Sequence, residues 1–158
     1  MDNTDIFISD LEKSTLSNTN YREVIYTTTH MQIVLQSIKP GSDIEYEVHQ
    51  NNDQFVRVEQ GEGKLIIGSK KEHQYPLKDG QAFIIPSNTC HQIINNGNTD
   101  LKLYIIYSPP HHPSDKIDVD RPPNAANPPS TQVNQTSAQI GGTLSNFEHM
   151  KKIRGFMY

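Results

Sequence analysis

The sequence predicts an all-β fold, either an antiparallel sandwich or a jelly-roll barrel. Three observations predict it: short apolar segments recur between Arg22 and Tyr107, β-branched and aromatic residues dominate them, and turn-forming residues separate them. No helical repeat runs between the segments, which argues against a βαβ fold. About eight strands are expected, at residues 22–28, 31–38, 43–49, 54–60, 63–68, 82–86, 91–95 and 101–107.

The residues between these segments suit tight connections between antiparallel strands. Glycine and asparagine tolerate the positive φ angles that short hairpins require, and proline favours the first corner of a turn. Such residues occur at Pro40-Gly41, Asn51-Asn52, Gly61-Glu62-Gly63, Asp79-Gly80 and Asn96-Gly97. We therefore assign residues 21–113 to a single barrel domain.

The two ends of the chain differ from this barrel in composition. Residues 1–20 are mostly polar, and we expect a loosely attached arm or an edge strand there. Residues 114–141 are rich in Pro, Asn, Ser, Thr and Gln, which predicts a flexible linker. Ser145 and Glu148 have the spacing of a capping box, so residues 142–158 are expected to hold a short terminal helix.

Composition and charge exclude several classes of function. The net charge is −4 and the pI is about 5.9, so the chain has no general attraction for nucleic-acid phosphates or anionic lipids. No apolar run approaches the roughly 18 residues of a membrane span, and residues 1–5 lack the layout of a signal peptide. Cys90 is the only cysteine, which excludes an internal disulfide. We therefore expect a cytoplasmic protein whose main partner is neither nucleic acid nor membrane.

Candidate metal ligands lie in the strand expected at 43–49. Side chains alternate along a strand, so Glu45, Glu47 and His49 should share one face. Ile44, like the other alternate residues, should take the opposite face. Glu45 is nearest the start of the strand, where we expect a solvated rim position.

The following strand and a later turn add two candidates. Gln54 begins the strand expected at 54–60, and an inward Gln54 requires an outward Arg57. His91 begins an apolar strand just after a turn that contains Asn88. Asparagine readily adopts the positive φ that such a turn needs.

These stretches resemble the two sequence motifs of the cupins. Gly41 and Gly61 match the two glycines of the first cupin motif in their spacing. The turn that leads to His91 is similar to the second cupin motif, with Asn88 in place of its middle glycine. Residues 20–113 resemble in particular the small single-domain cupins often labelled mannose-6-phosphate-isomerase-like. This resemblance implies a cupin-type double-stranded β-helix and a homodimer.

The resemblance also implies one divalent metal ion inside the barrel. By position its ligands are Glu47, His49, Gln54 and His91. Glu47 stands where the family usually has a histidine, and Gln54 stands where it has a glutamate, so the set keeps a single carboxylate. Two imidazoles, one carboxylate and one amide oxygen suit Mn, Fe, Co, Ni or Zn. Gln54 is either a direct ligand or a group that orients a bound water.

Two functions follow from these expectations. The first is a metal-dependent enzyme acting on a small molecule, isomerase-like toward a sugar or keto acid, or dioxygenase-like, with Glu47 doubling as a general base. The second is a non-catalytic ligand-binding or assembly module whose C-terminal tail contacts a partner. His111 and His112 form a further candidate metal-binding pair, although we expect them in an exposed, mobile linker.

Overall fold

The computed structural model of the chain describes residues 6–123, in which one helix and ten strands are present. The helix is α1 (Leu11–Ser17), and the strands are β1 (Arg22–Thr27), β2 (Gln32–Ile38), β3 (Asp43–Glu47), β4 (Asp53–Gln60), β5 (Glu62–Ile67), β6 (His73–Lys78), β7 (Ala82–Ile85), β8 (His91–Ile94), β9 (Leu101–Ser108) and β10 (Ile117–Asp118). All eight predicted strands are present. Within the described part of the chain, no helix is long and apolar enough to cross a membrane.

The strands form two sheets in which every pairing is antiparallel. The larger sheet has the order β10-β1-β2-β9-β4-β7, and the smaller one has the order β3-β8-β5-β6. Consecutive strands such as β2 and β3, or β4 and β5, lie in different sheets, so the chain crosses repeatedly between the two layers. This arrangement confirms the predicted all-β jelly roll.

The hydrophobic core lies between the two sheets, where inward side chains alternate with outward ones. On β4, Val56 and Val58 are fully buried, whereas Phe55 and Arg57, which alternate with them, are only partly covered. Leu103 on β9, next to Val58 in the register, is also fully buried. Removal of these side chains from water supplies the main stabilising free energy of the barrel.

Sequence analysis missed β6, and its position in the sheet explains why. The strand contains Pro76 and buries only Leu77, so it lacks the apolar pattern of the other strands. It lies at the edge of the smaller sheet and pairs only with β5. A proline is tolerated at such an edge, because the N–H that it lacks would face away from the sheet.

The expectation of a loosely attached arm or edge strand over residues 1–20 is wrong for the part that the structure describes. Helix α1 forms there, and Asp10 caps it by accepting a hydrogen bond from an amide of the first turn at 3.0 Å. The ammonium group of Lys102 on β9 donates to the carbonyl oxygens of Leu16 at 2.6 Å and Asn18 at 2.8 Å. This contact holds the end of the helix against the larger sheet.

The expectation of a flexible linker over residues 114–141 is wrong at its beginning. Strand β10 pairs with β1, and Asp118 Oδ2 lies 3.1 Å from Arg22 Nη1. Beyond β10, Arg121 Nε donates to Asp43 Oδ1 at 2.8 Å. The folded part therefore extends past the predicted domain boundary. The remainder of the linker and the expected terminal helix lie outside the described residues.

Candidate metal centre

Glu47 faces the barrel interior because β3 contains a β-bulge. Ile44 pairs with Ile93 and Glu47 pairs with His91, so three steps along β3 match two along β8. A bulge shifts the alternation by one residue, and Ile44 and Glu47 therefore both point inward. Our prediction that these two residues take opposite faces is wrong for this reason. Glu45 is exposed, as expected.

His49 lies two residues beyond β3 and turns back onto the carboxylate of Glu47. Its Nε2 lies 3.0 Å from Glu47 Oε1, and its side chain is 5% exposed. The backbone carbonyl of His49 accepts a hydrogen bond from the amide of Asn88 at 2.7 Å. Asn88 has a φ of 61°, which agrees with the predicted tight turn. The loop after β3 and the turn before β8 thus hold each other in place.

His91 opens β8 with its ring oriented toward the same carboxylate. Its Nδ1 lies 2.8 Å from the carbonyl oxygen of Thr89. A carbonyl oxygen only accepts, so Nδ1 carries the proton, and Nε2 of the neutral ring keeps a free lone pair. This Nε2 lies 3.6 Å from Glu47 Oε1. The ring therefore has the tautomer in which Nε2 can bind a metal.

Gln54 brings an amide to the same place from the opposite sheet. Its Nε2 lies 3.0 Å from Nε2 of His91, and the residue is 2% exposed. Arg57 points outward and donates to the carbonyl of Gly80, so the predicted orientations on β4 are confirmed. Rotation of the terminal amide exchanges its nitrogen and oxygen, so Gln54 can also present an oxygen to this point.

The side chains of Glu47, His49 and His91 fit a divalent metal in both spacing and chemistry. One ligand atom from each lies within 4.8 Å of the others, which suits atoms about 2.0–2.3 Å from a shared ion. Burial opposes ionisation of Glu47, but the neighbouring imidazoles of His49 and His91 outweigh it and hold the pKa of this carboxyl well below its usual range. The carboxylate is therefore anionic, as a metal ligand must be.

A group of rings lies beside the candidate metal ligands, and sequence analysis did not foresee it. We call it the aromatic wall; it consists of Tyr107, His111 and His112. Tyr107 is buried at the end of β9, and the His111 ring stacks on it with centroids 5.3 Å apart. The His111 ring also lies 4.1 Å from that of His49, and the His112 ring follows at 4.6 Å from His111. We expected both histidines in an exposed, mobile linker. His111 is exposed, as expected, but His112 is partly buried and both rings pack against their neighbours, so the expectation of a mobile linker is wrong.

Two buried amide side chains hold the aromatic wall in place. Gln32 Oε1 accepts from the backbone amides of His111 and His112 at 3.2 and 2.8 Å, and its Nε2 donates to the carbonyl of His112 at 2.8 Å. Asn52 Nδ2 donates to the carbonyl of Pro109 at 2.6 Å. The run Pro-Pro-His-His directly after β9 was the one sequence signal for this feature, because two prolines restrict the chain that carries the histidines.

Burial also determines the protonation of the aromatic wall. It lowers the pKa of His111 and lowers that of His112 to about 3, with nearby positive charges adding to the effect. It raises the pKa of Tyr107 well above the ordinary value. All three rings are therefore neutral near pH 7, and they add no charge to the site.

Comparison with known proteins identifies the family. Residues 34–107 match the family described as Cupin domain, a span that contains all four predicted ligands. The chain belongs to the cupin family. The narrower resemblance to mannose-6-phosphate-isomerase-like cupins stays a prediction.

Individual relatives and solved structures agree with this assignment. The cupin is 47% identical over 118 residues to "Uncharacterized protein L612" of Acanthamoeba polyphaga mimivirus, covering 74% of each chain. It is 43% identical over 110 residues to "Uncharacterized protein YrkC" of Bacillus subtilis, covering 68% of this cupin and 59% of that protein. The crystal structure of BH2720 from Bacillus halodurans matches with a TM-score of 0.72 at 37% identity, covering 75% of this cupin and 92% of that chain.

Proposed function

We propose that this cupin is a metal-dependent enzyme that acts on a small molecule inside the barrel. The observation that supports it is the convergence of two imidazoles and one carboxylate, from His49, His91 and Glu47, on one point of the interior. Gln54 faces the same point and would complete the set. The donors suit one Mn, Fe, Co, Ni or Zn ion.

The residues of the site have separable roles in this proposal. When bound, the metal would polarise a carbonyl, an enediol or dioxygen, which suits an isomerase-like or a dioxygenase-like reaction. Glu47 has a 23% exposed side chain, the most accessible of the four, so it can both bind the ion and accept a proton from a substrate. Thr89 orients His91 through its carbonyl oxygen, which leaves Nε2 directed at the site.

Metal analysis of protein purified without a histidine tag tests the proposal. We expect about one divalent ion per chain, and a loss of most of it in Glu47→Ala. The matched control is Glu45→Ala, which removes an exposed carboxylate two residues earlier on the same strand. A content below about 0.2 ions per chain in the unmodified protein, with no change in Glu47→Ala, would disprove the metal centre.

The other functional predictions have different tests. The non-catalytic assembly module depends on the C-terminal tail, which lies largely outside the described residues, and it stays a prediction. A homodimer and a cytoplasmic location also stay predictions. For the homodimer, light scattering should give twice the 17.9 kDa of one chain.

A further inference from the structure

The barrel interior contains polar donors that the proposed metal chemistry does not use. In the described part of the chain, four side-chain nitrogens are buried without a hydrogen-bond partner. One of them, Arg57 Nε, faces Glu59 Oε2 at 3.4 Å on the outer face of β4. The other three are Arg22 Nε, Gln36 Nε2 and His112 Nε2. Native proteins leave few such groups, because each costs free energy, so these three need a physical reason.

Strand register places Arg22 and Gln36 side by side on the inner wall of the larger sheet. Arg22 on β1 pairs with Gln36 on β2. Gln36 is 1% exposed. It lies two residues after the core residue Val34 on β2, so both side chains share the inward face. Side chains paired across antiparallel strands begin only about 5 Å apart. The guanidinium and the amide are therefore neighbours inside the barrel.

The inner face of β2 connects Arg22 and Gln36 with the aromatic wall. Gln32 and Gln36 are both buried and alternate on β2 with the core residue Val34. Gln32 bonds to the backbone of His112, and the His111 ring lies 4.1 Å from that of His49. Arg22, Gln36 and His112 therefore lie along one inner face of the larger sheet, and this face leads to the predicted metal ligands.

Nη1 of the Arg22 guanidinium has a hydrogen-bond partner, whereas the buried Nε has none. Nη1 donates to Asp118 Oδ2 at 3.1 Å. The Nε–H and one Nη2–H of a guanidinium point the same way, and together they match the two oxygens of a carboxylate. Asp118 also accepts from Lys116 Nζ at 2.7 Å, so two cations share one carboxylate and one positive charge is left over.

We propose that Arg22, with Gln36 and His112, binds a carboxylate group of the substrate while another part of the same molecule reaches the metal centre. This inference rests on the proposed function and narrows its substrate class to small carboxylic acids. A divalent ion with Glu47 as its single anionic ligand also keeps a positive charge, so both parts of the interior attract an anion. Asp118 opposes movement of the guanidinium toward the ligand.

Calorimetric titration with malonate, a small dicarboxylate, tests the carboxylate site. We expect Arg22→Gln to weaken malonate binding by about tenfold or more, since a charged hydrogen bond is lost. The cobalt content of the Co²⁺-loaded protein should not change. The matched control is Arg57→Gln, which removes an arginine from the outer face of the barrel and should leave malonate binding as it was. Unchanged binding in Arg22→Gln would overturn the inference.

The titration is run on Co²⁺-loaded and on metal-free protein, so that a failure of the carboxylate site can be told apart from a failure of the proposed metal-dependent function. Dependence of malonate binding on Arg22 in both forms supports the carboxylate site. If the unmodified protein takes up no cobalt, the proposed function fails, and the metal-free titration still decides the role of Arg22. Malonamide, the uncharged analogue, should not bind. Phosphate that binds more tightly than malonate through Arg22 would overturn the assignment to carboxylates.

Two further variants keep the test decisive if Arg22→Gln folds poorly. Gln36→Met removes the unpartnered amide, so we expect a higher melting temperature together with weaker malonate binding. Asp118→Asn releases the guanidinium, so we expect malonate to bind about threefold more tightly or better. A purely structural role of the Arg22–Asp118 ion pair predicts unchanged malonate affinity in both variants, and that result would overturn the inference.

Discussion

The two ends of the barrel interior are equally buried but chemically opposite. At the polar end, Gln54, His91 and Tyr107 are 2% exposed or less, and at the apolar end Val58 and Leu103 are fully buried. The same strands supply both ends, since Gln54 and Val58 both lie on β4, and Leu103 and Tyr107 both lie on β9. The degree of burial therefore does not distinguish the site from the core, whereas the chemistry of the side chains does.

This difference shows how stability and function are divided along each strand. Apolar side chains gain free energy by leaving water, whereas a buried polar group loses its hydration and recovers that loss only through a partner. His91 has such partners, the carbonyl of Thr89 and the amide of Gln54. We therefore expect the apolar end to dominate stability and the polar end to dominate binding.

Truncation at the apolar end should have the largest effect on stability. We expect Leu103→Ala to lower the free energy of unfolding by about 2–5 kcal/mol, because it leaves a cavity in a closely packed core. Urea denaturation measures this, with Ile84→Ala, at a 60% exposed position, as the control with little effect. The metal content of the folded Leu103→Ala protein should be unchanged, and a loss of metal would contradict the division between the two ends.

Substitution of a predicted ligand at the polar end should mainly lower the metal affinity and not the stability. We expect His91→Gln to lower the metal affinity by about 100-fold or more, because an imidazole ligand is lost. Competition with a chelator measures the affinity, and His73→Gln, at an exposed histidine of β6, is the control. Equal affinities in the two variants would show that His91 does not bind the metal.

The amide of Gln54 should matter less than either histidine. We expect Gln54→Met to weaken metal binding by about tenfold, because a neutral amide is a weak ligand or acts only on a bound water. The same chelator competition measures it. A loss as large as that in His91→Gln would instead make Gln54 a full ligand and sharpen the assignment of the polar end.

Acid should lower the free energy of unfolding through His112 at the polar end, by less than truncation of the apolar end does. The pKa of His112 is about 3 in the folded protein, against 6.5 without this environment, so the unfolded chain binds the proton first. Stability is then complete above pH 6.5 and falls as the pH drops toward 3. We expect His112→Gln to reduce the loss between pH 7 and 5 by about 1 kcal/mol, since partial exposure screens the effect. Urea denaturation of the metal-free proteins at pH 7 and 5 measures the loss, with His30→Gln as the control. An equal loss in the unmodified protein and in His112→Gln would contradict the prediction.

The predicted ligands differ in how well local patterns located them. The cupin resemblance suggested an inward Gln54, and alternation required Arg57 to point outward in that case; the structure shows both orientations. The inward position of Glu47 was also expected, but the reasoning was incomplete. Strict alternation places Ile44 and Glu47 on opposite faces, and only the bulge opposite β8 turns both inward. A bulge depends on how two strands pair, which a single strand's pattern does not contain.

The proposed carboxylate site and the aromatic wall were not foreseen because their contacts join distant parts of the chain. The amide of Gln32 reaches the carbonyl of His112 across 80 residues of sequence, and Arg22 meets Asp118 across 96. Each of these residues taken alone reads as an ordinary polar residue near the end of a strand. Their roles appear only when β1, β2 and β10 lie together in one sheet.

The sequence by itself determined the eight main strands, the turns between them and the positions of the candidate metal ligands, because alternation and turn chemistry act over a few neighbouring residues. Tertiary structure decided the docking of α1 through Lys102, the edge strand β6, the bulge that directs Glu47, and the pairing of Arg22 with Gln36. These features depend on hydrogen bonds and packing between segments far apart in the chain. The polar end of the barrel therefore carries a local signature for the proposed metal and a tertiary one for the proposed substrate.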